Sequence, residues 1–149
     1  MTAEKTASNN FPSENLIQKA IDAARTTAQN AYAPYSHFHV GAAAVMTDEQ
    51  LICGCNVENA SYPVGCCAEK AALAAAVARG YQPQDMAGIV LYTPTAAVTS
   101  PCGSCRQVMA ELLGPDGFVI MECDNPALQK RMTVRDLLPA AFSLEEKSF

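Results

Sequence analysis

At 149 residues, half of them apolar and 17% charged, the chain is long enough for one domain with a hydrophobic core of its own. No apolar run approaches the roughly 20 residues a membrane-spanning helix needs, and the polar Met1–Asn10 stretch lacks the apolar segment of a signal peptide, so a cytoplasmic location is expected. A net charge of −5, with only ten basic residues scattered along the chain, argues against a phosphate-backbone partner and for a small, uncharged substrate.

Residues 1–12 read as a disordered N-terminal extension, and residues 13–149 as a single domain. Ser13 can cap a helix running to about Tyr32, with Ile17, Ala20, Ile21, Ala24 and Ala28 as its apolar stripe and Pro34 preventing continuation. Phe38–Val45 and Leu51–Val57 are β-like and joined by the polar Thr47-Asp48-Glu49-Gln50 turn, which predicts a hairpin. Cys67–Arg79, rich in alanine and ended by Gly80, predicts a buried helix. Ile89–Tyr92 is a short buried strand, followed by a loop over Thr93–Pro101 and a helix from about Gly103 to Leu113, stopped by Gly114-Pro115. Phe118–Met121 and Arg131–Val134 are two further strands, with a short helix before Pro139. Two starting strands followed by helix–strand alternation predict an α/β fold: a three-layer α/β/α arrangement around a five-stranded mixed sheet, with helices on both faces.

Cys67-Ala68-Glu69 and, 35 residues after Cys67, the Pro101-Cys102-Gly103-Ser104-Cys105 segment carry the chemistry. Together they supply three thiols and one carboxylate. Three protein ligands hold a zinc ion with a fourth position left for water, which is the catalytic rather than the structural pattern. Cys-x-Glu followed by Pro-Cys-x-x-Cys matches the signature of zinc deaminases with cysteine at the histidine position, which makes Glu69 the acid–base group and not a ligand. Cys67, Cys102 and Cys105 all fall at predicted helix starts, where free backbone N–H groups and the helix dipole favour thiolates. Three thiolates on one Zn²⁺ leave a formal charge of −1, and Lys70 and Arg106 are the nearby cations that can offset it.

Other readings of these residues exist. Cys102-Gly103-Ser104-Cys105 also fits a redox pair at a helix start, but Cys67, Glu69 and Pro101 have no role in one. A closed structural zinc site would need a fourth ligand from Cys53, Cys55, Cys66 or Cys123. Cys66 adjoins Cys67 and could rarely reach the same ion, while Cys53, Cys55 and Cys123 read as plain core residues. The seven cysteines are odd in number and irregularly spaced, which weighs against a disulfide framework. His37 and His39, flanking Phe38 on the opposite strand face, read as surface or rim groups.

From Tyr32 to about Phe142 the chain resembles the small cytidine deaminases, specifically the homotetrameric class with three zinc cysteines. The resemblance rests on Ala33-Pro34-Tyr35-Ser36, Phe38-His39-Val40-Gly41-Ala42-Ala43, Gly54-Cys55-Asn56-Val57-Glu58-Asn59-Ala60, Cys67-Ala68-Glu69, Pro101-Cys102-Gly103-Ser104-Cys105-Arg106-Gln107 and Leu137-Leu138-Pro139-Ala140-Ala141-Phe142. It implies hydrolytic deamination of cytidine and deoxycytidine in pyrimidine salvage, with one Zn²⁺ per chain on Cys67, Cys102 and Cys105 and with Glu69 as the proton carrier. It also implies that Asn56 and Glu58 bind the ribose hydroxyls, that Phe38 lines the base pocket and the Ala68 backbone contacts the pyrimidine, with Ala60 in the same binding set. Tyr62 and Phe142 match positions that reach a neighbouring subunit's site in a homotetramer. Lys70 is a departure, since this class commonly carries an arginine there; lysine keeps the charge but loses the planar fork. Deamination of a related nucleoside such as blasticidin S is the alternative, and the Asn56/Glu58 pair favours cytidine over it.

Overall fold

The structure, a computed structural model, describes residues 11–144. Of the expected N-terminal extension, residues 1–10 lie outside the described residues, whereas Phe11 and Pro12 are placed, and the Phe11 ring lies 5.9 Å from that of Phe118. Helix α1 spans Glu14–Ala28, with the Ser13 hydroxyl accepting the Leu16 N–H and the predicted stripe buried. It stops four residues short of Tyr32. The Tyr32 N–H instead donates to the Asn56 carbonyl and the Tyr32 carbonyl accepts from the Glu58 N–H, so tertiary backbone bonds outcompete another helical turn.

The sheet comprises β1 (Gly41–Met46), β2 (Leu51–Cys55), β3 (Met86–Tyr92), β4 (Phe118–Glu122) and β5 (Lys130–Thr133), in the order β2-β1-β3-β4-β5. Only β3 and β4 run parallel, so the sheet is mixed as expected. Helices α2 (Ala68–Ala78), α3 (Gly103–Leu112) and α4 (Val134–Leu137) follow, with three short 3-10 turns in the connections of the described residues. Helix α1 covers one face of the sheet, burying Ala43, Val45, Val90 and Tyr92; α2, α3 and α4 cover the other, burying Ala42, Ala44, Ile89, Leu91 and Val119. Alternation along each strand thus divides the core into two layers. Close approach of helix to sheet depends on two glycines. A Cβ at Gly41 would lie 1.9 Å from the Ala24 carbonyl oxygen, and one at Gly54 2.4 Å from the Ala72 nitrogen.

Four expectations need correction. The first strand begins at Gly41, not Phe38, because the Asn56 side chain takes the Val40 N–H and the Phe38 carbonyl at 2.8 Å each, replacing the strand ladder there. His37 and His39 therefore do not sit on a strand face opposite Phe38; His37 adopts a left-handed φ of 55° in a tight turn, and the His39 ring contacts the Ala28 carbonyl. Strand β3 starts three residues earlier than Ile89. Cys123 is buried as expected, but Cys53 is exposed, because β2 is an edge strand.

Candidate metal and catalytic site

Two helix starts converge. Cys67 is the N-cap residue of α2 and Cys102 that of α3, its sulfur accepting the Cys105 N–H at 3.4 Å; Cys105 follows in the first turn, fully buried. The three sulfurs lie within 4.8 Å of one another, with Cys67 Sγ and Cys102 Sγ 3.9 Å apart. Sulfurs at about 2.3 Å from a tetrahedral zinc ion lie about 3.8 Å from each other, so this spacing fits the metal with little rearrangement. Among the described residues no fourth cysteine, histidine or carboxylate joins the cluster. Cys66, the nearest in sequence, directs its thiol at the Cys67 carbonyl. A closed structural site would need a fourth ligand, and none stands there among the described residues.

The thiols polarise one another. Hydrogen bonds from the Cys105 and then the Cys102 thiol, with the charge of Lys70, bring Cys67 down to about 6 against the opposing effect of burial. Cys105, as donor to Cys67 and buried beside Glu69, moves upward. The lowered Cys67 thiol stands at the positive end of α2, where a thiolate is favoured. Glu69, in the first turn of α2, is only 6% exposed, and burial, then the neighbouring Cys67, push its carboxyl up. A carboxyl held away from water beside a charged cluster is suited to carry a proton.

Of the two cations expected to offset the thiolates, Lys70 reaches across to the Ser104 hydroxyl at 3.5 Å and acts electrostatically on Cys67. Arg106 turns its guanidinium elsewhere: Nε donates to the Pro101 carbonyl at 2.8 Å and Nη1 to the Leu137 carbonyl at 2.9 Å. It ties the turn that carries Cys102 to the end of α4.

A cleft of ≈ 190 Å³ opens on the thiols. Its lining brings together Phe38, Asn56, Cys67, Ala68, Glu69 and Cys102. A wider groove of ≈ 460 Å³, sharing Asn56 and Cys67 with the cleft, is lined by Ser36, Glu58 and Tyr62 among others. Glu58 is held by the Ser36 hydroxyl and by the backbone N–H groups of Tyr35, at 3.0 Å, and Ser36, at 3.2 Å, which keep its carboxyl below the usual carboxylate range. The Ser36 oxygen in turn accepts the Phe38 N–H at 3.0 Å. Asn56 and Glu58 thus also build the turn that presents Phe38. Ala60 is exposed and outside both linings. Tyr62, 77% exposed, stands edge-on to Tyr35 at the groove rim. Phe142 does not join the cleft within its own chain: it is 68% exposed beside Pro139 and Arg135, its carbonyl held by Gln107.

Sequence reasoning missed Leu91, Thr93, Thr99 and Ser100, which also line the cleft. The available signal was the period of two along β3, which puts positions 91 and 93 on the face covered by α2 and α3.

Sheet, helices and thiol cluster define an α/β scaffold in which two helix starts bring three thiols together, as a metal ion would need, with a buried carboxyl beside them. The sequence model of the cytidine and deoxycytidylate deaminase zinc-binding region matches residues 14–122, and the chain belongs to that family. Among curated proteins, a cytidine deaminase of Halalkalibacterium halodurans is 44% identical over 131 residues, covering 88% of this chain and 94% of its own. Among solved structures, the cytidine deaminase of Burkholderia pseudomallei superposes with a TM-score of 0.80 at 45% identity, covering 84% of this chain and 98% of its own. That of Mycobacterium tuberculosis superposes with a TM-score of 0.71 at 36% identity, covering 86% and 98%. The three-layer fold with its five-stranded mixed sheet is accordingly that of these relatives.

Proposed function

We propose that the protein is a cytidine deaminase that hydrolyses cytidine and deoxycytidine to uridine and deoxyuridine and releases ammonia, with one zinc per chain on Cys67, Cys102 and Cys105. The observation that carries this reading is the cluster of three thiols, with no fourth ligand among the described residues, opening beside buried Glu69 into a cleft lined by Phe38. Zinc, when bound, supplies Lewis acidity toward the attacking water. Glu69 takes a proton from that water and delivers it to the pyrimidine ring nitrogen, then takes the remaining proton from the added hydroxyl and passes it to the departing amine. The oxygen of water stays on the carbon as the new oxo group, and the amine leaves as ammonia. Phe38 bounds the base, and the Ala68 backbone lies within reach of it. Lys70 offsets the excess negative charge of the thiolates.

Asn56 and Glu58 hold the ribose hydroxyls. Each has capacity to spare: Glu58 accepts three hydrogen bonds from residues 35 and 36 out of about four lone-pair sites, and the Asn56 amide keeps one donor and one acceptor position. A negatively charged Glu58 at the sugar repels a phosphate, and among the described residues no Lys or Arg lines the groove to compensate. An ultraviolet assay is therefore expected to show turnover of cytidine and deoxycytidine with cytidine 5′-monophosphate a poor substrate. Equal turnover of the monophosphate would overturn the nucleoside assignment, and no ammonia release from cytidine would overturn the function.

The same reading treats residues 13–149 as one catalytic domain, acting in the cytoplasm in pyrimidine salvage and having no nucleic-acid partner. No helix of the described residues is long and apolar enough to cross a membrane. It further makes the protein a homotetramer in which Tyr62 and Phe142 reach a neighbouring subunit's site. Their exposure is compatible with this, since both rings are free to meet a neighbouring subunit. Sedimentation velocity is expected to give a tetramer, and a fully active monomer would refute it.

A further inference from the structure

Strand β3 alternates cleanly, Ile89 and Leu91 facing α2 and α3 while Val90 and Tyr92 face α1. Thr93, the next residue, continues toward the α2/α3 side. It is 2% exposed, and it lines the same cleft as Leu91, Phe38, Glu69 and Cys102. Its hydroxyl lies 2.8 Å from that of Thr95, and the Thr95 hydroxyl lies 2.8 Å from the Ala97 carbonyl oxygen. A hydroxyl has one proton and two lone pairs, whereas a carbonyl oxygen only accepts. The Thr95 proton is therefore spent on Ala97, and the contact between the two threonines runs from Thr93 as donor to Thr95 as acceptor. With its proton directed into the loop, Thr93 has only lone pairs left to offer a ligand.

A buried oxygen that accepts but does not donate separates two groups of the same size. It welcomes an N–H and opposes an oxygen that carries lone pairs of its own. In a deaminase that difference is the one between substrate and product at the reacting carbon. We propose that Thr93 is a specificity-determining residue that accepts a hydrogen bond from the substrate's amine and disfavours the oxo group that replaces it, so that the product is held less tightly than the substrate. The inference rests on the deaminase reading above and adds to it a contact supplied by neither the thiol motif nor the sugar pair. Thr95, which does not itself line the cleft, sets the polarity of that contact from behind.

The test uses the full-length zinc-loaded protein and three substitutions, with steady-state kinetics on cytidine and calorimetric binding of uridine. Thr93→Val removes the acceptor at nearly constant shape and is expected to lower kcat/KM for cytidine roughly tenfold, the effect of one hydrogen bond. Uridine binding in that variant should stay level or tighten. Thr93→Ser keeps the hydroxyl and should keep the parent's ratio of cytidine to uridine recognition. Thr95→Val releases the Thr93 proton, which can then be donated to an oxo group, so uridine should bind several-fold more tightly. This variant carries the test alone if Thr93→Val does not fold. Equal weakening of both ligands in Thr93→Val, or unchanged uridine affinity in Thr95→Val, would overturn the proposal while leaving the deaminase reading intact. A parent protein that releases no ammonia from cytidine would overturn both.

Discussion

Glu69→Gln is expected to fold normally and bind a full complement of zinc while losing roughly two to four orders of magnitude in kcat, the range that a positioned proton carrier contributes. The amide has the shape of the carboxyl it replaces and sits in the same buried first turn of α2. It needs less solvation than an ionised carboxylate, so burial does not penalise it and the helix should be undisturbed. What it lacks is a proton it can give and take back. Deamination requires that twice, once toward the ring nitrogen and once toward the amine, and both transfers belong to the transition state rather than to binding. The deficit should therefore fall on kcat, with KM nearly held. Because Glu69 stands outside the cluster of three sulfurs, zinc measured by elemental analysis should not change. Near-normal turnover would mean that another group carries the protons; loss of zinc together with activity would mean that Glu69 is a ligand.

The convergence of the three thiols beside Glu69 was legible in the sequence, because it follows from local spacing. Cys67 with Glu69, and Cys102 with Cys105, are spaced so that each pair falls in one helical turn, and both pairs meet because their helices start on the same side of the sheet. Polar contacts between distant segments were not legible. Asn56 bonding to the backbone on either side of His39 shifts the start of β1 to Gly41 and turns Phe38 into a loop residue, which hydrophobic alternation over residues 38–45 could not reveal. Arg106 reads as a cation near three thiolates, yet its two hydrogen bonds go to carbonyls of residues 101 and 137, the second 31 residues away. Cys53 reads as core by composition and is exposed by topology, since no local signal marks β2 as the sheet edge. Thr93 is the same failure in reverse. Its place past the end of a buried strand suggested a loop, and only the helices across the sheet make its position part of the cleft.

Cys102→Ala should be the most damaging of the thiol substitutions, because Cys102 serves twice. As one of the three proposed donors it would hold the metal, and two remaining sulfurs are a poor zinc site. As the N-cap residue of α3 its sulfur also accepts the Cys105 N–H, an orphan donor at a helix start, and losing such a cap weakens a helix by about 1 kcal/mol. Cys105 is itself a candidate ligand, so a loosened first turn also disturbs the second donor. Bound zinc should fall from one per chain to nearly none, activity should vanish with it, and the thermal midpoint should drop, since metal binding contributes directly to the stability of the folded state. Cys102→Ser separates the two roles. A serine hydroxyl caps a helix at least as well as a thiol does, yet it is a much poorer donor to zinc than a thiolate. The serine variant should therefore resemble the alanine variant in zinc content and activity but melt at a higher temperature, and in the presence of a chelator it should match the parent. Full zinc occupancy and turnover in Cys102→Ala would remove Cys102 from the ligand set, and with it the case for three thiols on one metal. Equal melting of the two variants would instead leave the metal assignment standing and show that the cap contributes nothing to α3.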